Sequence, residues 1–161
     1  MDGKVIVAMG PDPADVAVAD RVARQFGWRA GTVDDIAAGD AAEGAVRDPA
    51  QVAAVLLHRG GLSWGEAIRR VRHDLPGARV ITCHRYDEPV DWGEFCELGA
   101  FHSIRLPMAE TEVRQSLGFV WEAEKRRETM RKDRIGYGTG HVDFGLGAVA
   151  RGAGAGVGAN A

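Results

Sequence analysis

The chain has 161 residues, 45% hydrophobic and 27% charged, which is enough for one domain with a sizeable core plus an extension. A net charge of −3 and an isoelectric point of about 5.9 give no general field for drawing in nucleic acid, so no nucleic-acid partner is expected. Its two cysteines, Cys83 and Cys96, form neither a CxxC pair nor a zinc spacing, which argues against a disulfide framework and points to a reducing cytoplasm.

The opening MDGKVIVAMGPDP has too short an apolar run for a secretory signal. Its segment KVIVAM, Lys4 to Met9, reads as a first buried strand that GPDP ends. Asp12 or Pro13 opens a helix, proline being favoured in the first turn. Val16, Ala19, Val22, Ala23 and Phe26 recur at helical spacing, and Gly27 closes the helix. WRAGTVDD suggests a short second strand, and the Ala- and Gly-rich residues 36–49 make a weak second helix. Val52 to Leu57 is a short aliphatic run, stopped by Gly60 and Gly61 just past His58 and Arg59, as in a fully buried strand of a parallel sheet. Ser63 is an N-cap with Glu66 completing a capping box for the helix WGEAIRRVRHDL, which ends near Pro76 and Gly77. ARVITC is a strand, Asp91 or Trp92 begins a helix through Leu98 that Gly99 stops, and FHSIRLP is the last strand. A long helix follows from about Ala109 to Arg134, and glycines crowd the chain from Gly136 onward.

Strands alternating with helices, joined by short loops and right-handed crossovers, give an α/β fold: a doubly wound, five-stranded parallel sheet. Chemistry in such folds sits past the carboxyl ends of the strands. Those ends place Gly10, Pro11, Asp12, His58, His84 and Leu106 near one edge. The organisation is then a folded domain over 1–126, a charged helical extension over 127–135 and a disordered Gly-rich tail over 136–161. No stretch of 18 apolar residues is present, so no membrane span is expected.

The order of elements, with GAFHSIRLPM, LPGARVITCHR and GEAIRRVRHDLPGA in the right sequence and spacing, resembles the receiver domain of bacterial response regulators over about residues 4–125. The resemblance implies a flavodoxin-like fold and phosphoryl transfer to an aspartate after the third strand. It also implies an acidic pair that holds Mg²⁺ after the first strand, a Thr or Ser after the fourth and a Lys after the fifth. Carried over one by one, the acidic pair falls on Gly10 and Pro11, with only the adjacent Asp12 left. The phosphoacceptor falls on His58, and the Thr or Ser on His84, or on Thr82 with a shift of two. The Lys falls on Leu106, with Pro107 after it as in the family. An imidazole does not replace a hard carboxylate cage, and leucine does not pair with phosphate. The resemblance therefore implies a pseudo-receiver, with the fold kept and the phosphorylation residues gone, and no cofactor.

Each site has a sharp and a bland reading. His58 and His84, with Asp12 or Cys83, could make a metal or ligand site, but zinc wants three or four ligands. The bland reading leaves both histidines as surface-edge residues and Asp12 as a helix cap. Arg69, Arg70, Arg72 and His73 read as a solvated helix face. Val113, Leu117 and Val120 or Trp121 form the stripe of the last helix that faces the sheet, and past Ala123 the stripe fails, with Arg127 and Arg131 in would-be core places. Trp92, Phe95, Phe101, Phe119 and Trp121 cluster on the helix from Asp91, the last strand and the last helix, and cannot all turn inward. In receivers that face is the common partner surface. The expectation is a stand-alone, non-enzymatic module in signalling or transcriptional control that binds protein partners there, a homodimer included. The rival readings are an α/β ligand- or metal-binding protein using the His58, His84 and Asp12 edge, and an assembly component that docks through its Gly-rich tail.

Overall fold

The computed structural model of the chain describes residues 3–34 and 48–137. Five strands, β1 (Val5–Met9), β2 (Arg29–Gly31), β3 (Val52–Leu57), β4 (Arg79–Arg85) and β5 (Ala100–Leu106), make one parallel sheet in the order β2-β1-β3-β4-β5. Four helices accompany them among the described residues: α1 (Pro13–Ala23), α2 (Trp64–Asp74), α3 (Trp92–Leu98) and α4 (Glu110–Tyr137). The weak helix expected at 36–49 falls mostly outside the described residues, with only a single 3₁₀ turn, Pro49–Gln51, at its end. Of the tail expected over 136–161, residues 136 and 137 belong to α4, because the helix runs on past Arg134, and the remainder lies outside the described residues. Strand β4 runs two residues past the expected ARVITC, because His84 and Arg85 pair with Arg105 and Leu106 of β5.

Local chemistry fixes the element ends. Asp12 keeps an extended backbone and its carboxylate accepts a hydrogen bond from Asp15 N at 2.9 Å, capping α1 over the favoured Pro13. Ser63 and Glu66 form a reciprocal capping box on α2, both bonds 3.2 Å long. Asp91 caps α3, and Gly99, at φ +92°, ends it in the left-handed conformation that side chains avoid.

Period-two alternation sorts the strands onto two layers. Ile6, Ala8, Leu56, Ile81, Cys83 and Ile104 pack with Val16, Ala19 and Val22 of α1 and with Val113, Leu117 and Val120 of α4. On the other face Val5, Val7, Val55, Leu57 and Val80 pack with Ala67, Ile68 and Val71 of α2. All six residues of β3 are buried, as a central strand covered on both faces requires. Each buried Val, Leu or Ile among them contributes about 1.5–3 kcal/mol by leaving water.

The apolar stripe of the last helix ends where the sequence pattern has it end, with Arg127 and Arg131 exposed, but one inward position past Ala123 is filled by an acid that the pattern did not single out. Glu124 takes the inward place and is 1% exposed. Its carboxylate pairs with Arg79 at the start of β4, with Lys4 ahead of β1 at 3.2 Å and with Arg127 at 3.5 Å. Arg127 lies over it, donating also to the Gly77 carbonyl at 3.2 Å. One buried anion thus ties α4 to the amino-terminal end of the sheet, and it survives burial because three cations surround it.

Replacing Glu124 by alanine would strand Arg79 and Lys4 without their counter-ion, and a loss of about 3 kcal/mol is expected. Urea denaturation of Glu124→Ala checks this, and a loss below about 1 kcal/mol would mean that the cluster leaves stability untouched.

Candidate functional site

The carboxyl ends of β1, β3, β4 and β5 meet at one edge, as the topology requires. β1 leads into Gly10, Pro11 and Asp12; β3 into His58; β5 into Leu106 and a cis peptide bond to Pro107. His84 and Arg85 lie in the last turn of β4's ladder. A cleft of about 390 Å³ opens here, lined among others by Pro11, Asp12, Asp15, Arg85, Asp87 and Leu106.

Gly10 has φ +96°, and a Cβ built there would lie 2.7 Å from the His58 carbonyl oxygen and 2.9 Å from the His58 Cβ. Where the resemblance asks for an acidic residue, the backbone of the next strand fills the space. The exclusion is steric as well as conformational.

His58 corrects the reading of an idle surface histidine. Its amide donates to the Met9 carbonyl at 2.9 Å, and its side chain is only 16% exposed. The ring stands edge-on to Trp64, and Nε2 lies 3.3 Å from Oε1 of Glu88, in the loop after β4. Arg59 Nε approaches the same oxygen at 3.5 Å. These are ion-pair distances without hydrogen-bond alignment, since neither nitrogen finds an aligned acceptor. Oε2 of Glu88 accepts from the Arg85 amide at 2.8 Å. Burial pushes the Glu88 carboxyl up, but the Arg85 amide, His58 and Arg59 together outweigh it and hold it below its ordinary value. The loop after β4 is therefore held to the loop after β3 by a carboxylate.

His84 is engaged separately. Its Nδ1 lies 2.9 Å from the Ser103 hydroxyl, and burial lowers its pKa, favouring the neutral ring. Cys83 points to the opposite face, where burial pushes its thiol far up and leaves it protonated. Thr82, the alternative to His84, is fully buried and donates to the His102 carbonyl at 3.4 Å, away from the edge. Asp12 serves as the helix cap. Among the described residues no group of three His, Cys, Asp or Glu side chains is placed to share one cation, so His58, His84 and Asp12 do not converge.

Sequence reasoning missed Asp15 and Glu88. Asp15 is 5% exposed, and its Oδ1 accepts from Met108 N at 2.7 Å, joining α1 to the turn after β5. An aspartate in a first helical turn is the only signal, and it is indistinguishable from an ordinary solvated one. Glu88 had no signal, because its side-chain partners, His58 and Arg59, lie in the loop after another strand.

The five aromatic residues separate. Phe95 is 1% exposed and packs against Trp64 at 5.0 Å between ring centres, so it is core and not interface: α3 turns this position inward. Trp121 is half-buried against the core, with Lys125 4.8 Å from its ring centre. Trp92, Phe101 and Phe119 remain at 43%, 36% and 47% exposure. His102 stands between Trp92 and Phe119, 6.4 and 5.5 Å from them and edge-on to both. An exposed aromatic row thus crosses α3, β5 and α4.

No family model matches the chain, and no curated protein is significantly similar to it. Solved structures are similar in fold. The receiver domain of AraT, a response regulator from Geobacillus stearothermophilus, matches with a TM-score of 0.54 at 16% identity, over 80% of this chain and 99% of that one. A response regulator from Thermotoga maritima matches with a TM-score of 0.54 at 13% identity, over 74% and 98%. A protein of Burkholderia thailandensis assigned to pilus assembly matches with a TM-score of 0.51 at 15% identity, over 74% and 98%. The fold is that of a response-regulator receiver.

Two outcomes follow from this geometry. Gly10→Ala should destabilise the domain by about 2 kcal/mol or more, since strain and a backbone clash coincide; thermal or urea unfolding reads it, and a near-neutral result would contradict the close approach to His58. His84 has a folded pKa below the unfolded value of 6.5, so its contribution is complete above that pH and shrinks as the pH falls through and below it. His84→Asn should then lose less stability than the wild type between about pH 7.5 and 5.5. Equal losses would show that the ring titrates alike in both states.

Proposed function

We propose that this chain is a stand-alone pseudo-receiver, acting without phosphorylation as a non-enzymatic protein–protein interaction module in cytoplasmic signalling or transcriptional regulation. The observation that carries the reading is the steric closure at Gly10, where the His58 backbone occupies the place of an acidic side chain. His58 in the phosphoacceptor position and Leu106 in the lysine position support it further. The contact between His58 and Glu88 joins the two loops that a phosphoryl group would have to bridge. A switch driven by that edge is then unavailable, and function rests on a standing surface. The exposed row of Trp92, His102 and Phe119 is the surface we assign to partners, because truncating a buried aromatic anchor typically costs about 2 kcal/mol or more in binding. A second reading, a docking component of a larger assembly, draws on the likeness to the Burkholderia protein assigned to pilus assembly.

Acetyl phosphate with Mg²⁺ is expected to leave the protein without an acyl phosphate; a hydroxylamine-labile label on any aspartate would overturn the reading. Trp92→Ala and Phe119→Ala are expected to stay folded by circular dichroism while weakening self-association or partner capture about tenfold or more. If both stay folded and associate like the wild type in sedimentation and pull-down, this face is not the interface.

A further inference from the structure

Charge is unevenly distributed along this chain. Residues 125–135 hold six Lys and Arg against two Asp and Glu, whereas the rest holds 14 against 21. An acidic body therefore carries a basic helical extension. Along that extension runs an open groove of about 760 Å³, rimmed by Arg79, Arg126, Arg127, Arg131 and Arg134, with Asp133 the one acid among them. Its floor is apolar: Ala123 and Met130 lie in it, and Met130 is 68% exposed. Phe101, beneath the Arg79 guanidinium at 5.4 Å, extends the apolar surface.

The arginines differ in their freedom. Arg79 and Arg127 are committed to Glu124. Arg126, Arg131 and Arg134 pair with no carboxylate among the described residues. Three cations that no described carboxylate pairs, beside an exposed methionine, ask for an occupant with carboxylates and an apolar stripe together.

We infer that this groove is a docking site for an acidic, amphipathic helix of a partner protein. Nucleic acid fits less well, since phosphates make no use of an apolar floor and the acidic body repels them. A membrane surface would need more apolar area than Met130 and Phe101 supply. A second copy fits poorly as well. Groove on groove sets arginine against arginine, and the chain's own acidic helix α3 is short. It spans roughly 10 Å against roughly 16 Å from Ala123 to Arg134, and its apolar side, Phe95, is already buried in its own core. The inference goes beyond the proposal for the aromatic row and stands or falls separately from it.

The test uses the full chain and a fluorescent synthetic helix with one glutamate face and one leucine face, read by anisotropy. Saturable, salt-sensitive binding is expected. Arg126→Glu with Arg131→Glu should weaken it about tenfold or more, and Met130→Ser about threefold, while Arg69→Glu with Arg70→Glu, the same charge change on α2, should leave it within about twofold. Circular dichroism checks that the variants remain folded, as expected for residues without buried partners. The inference is overturned if unstructured polyglutamate binds as tightly, if Met130→Ser has no effect, or if duplex DNA or anionic vesicles bind more tightly than the helix. It is equally overturned if the protein forms a salt-sensitive dimer in sedimentation that the Arg126 and Arg131 reversal dissolves.

Discussion

Strand β3 has no solvent face, and the rest of the molecule is arranged around that constraint. It is the middle strand of five, and all six of its side chains are buried. Helices must cover both sides, so α1 and α4 lie on one and α2 on the other. A strand buried on both faces can present chemistry only where it ends. That end is His58, whose amide continues the ladder to Met9 and whose carbonyl leaves room for nothing larger than Gly10 beside it. The packing of the core thereby dictates what the edge can contain.

Two buried carboxylates close the fold at opposite ends. Asp15 takes the amide of Met108 and fixes the turn after β5 against α1, at the edge with the cleft. Glu124 gathers Arg79, Lys4 and Arg127 at the other end. Both are acids used as structural acceptors, as buried polar groups require. Glu88 plays the corresponding part between the loops after β3 and β4. Asp12, Asp15 and Glu88 near the edge are thus each engaged with protein groups.

The same economy separates the two outer surfaces of α4. Its inward stripe, Val113, Leu117 and Val120, continues into Glu124, so the helix changes from apolar packing to ionic packing where the sheet ends. Phe119 and Met130, eleven positions apart and three turns along, share the outward face. The first belongs to the aromatic row and the second to the arginine groove. One helix therefore carries an apolar surface over the domain and a basic surface beyond it.

How much of this was legible in the residues depends on distance along the chain. The sequence by itself determined the five strands, the capped starts at Asp12, Ser63 and Asp91, the stops at Gly27 and Gly99, and hence the α/β order that resembles a receiver. Those signals are local: a cap acts over three residues and a strand alternates over two. It also placed Gly10, Pro11, Asp12, His58 and Leu106 at the carboxyl edge, since strand ends follow from strand positions, but not Asp15 or Glu88. Only the tertiary structure decided that Phe95 turns inward while Trp92 stays out, that Glu124 fills an inward position of the last helix, and that His58 faces Glu88. Each of those outcomes depends on a partner far away in sequence, where a carboxylate or an aromatic ring meets its neighbour only after the sheet has assembled.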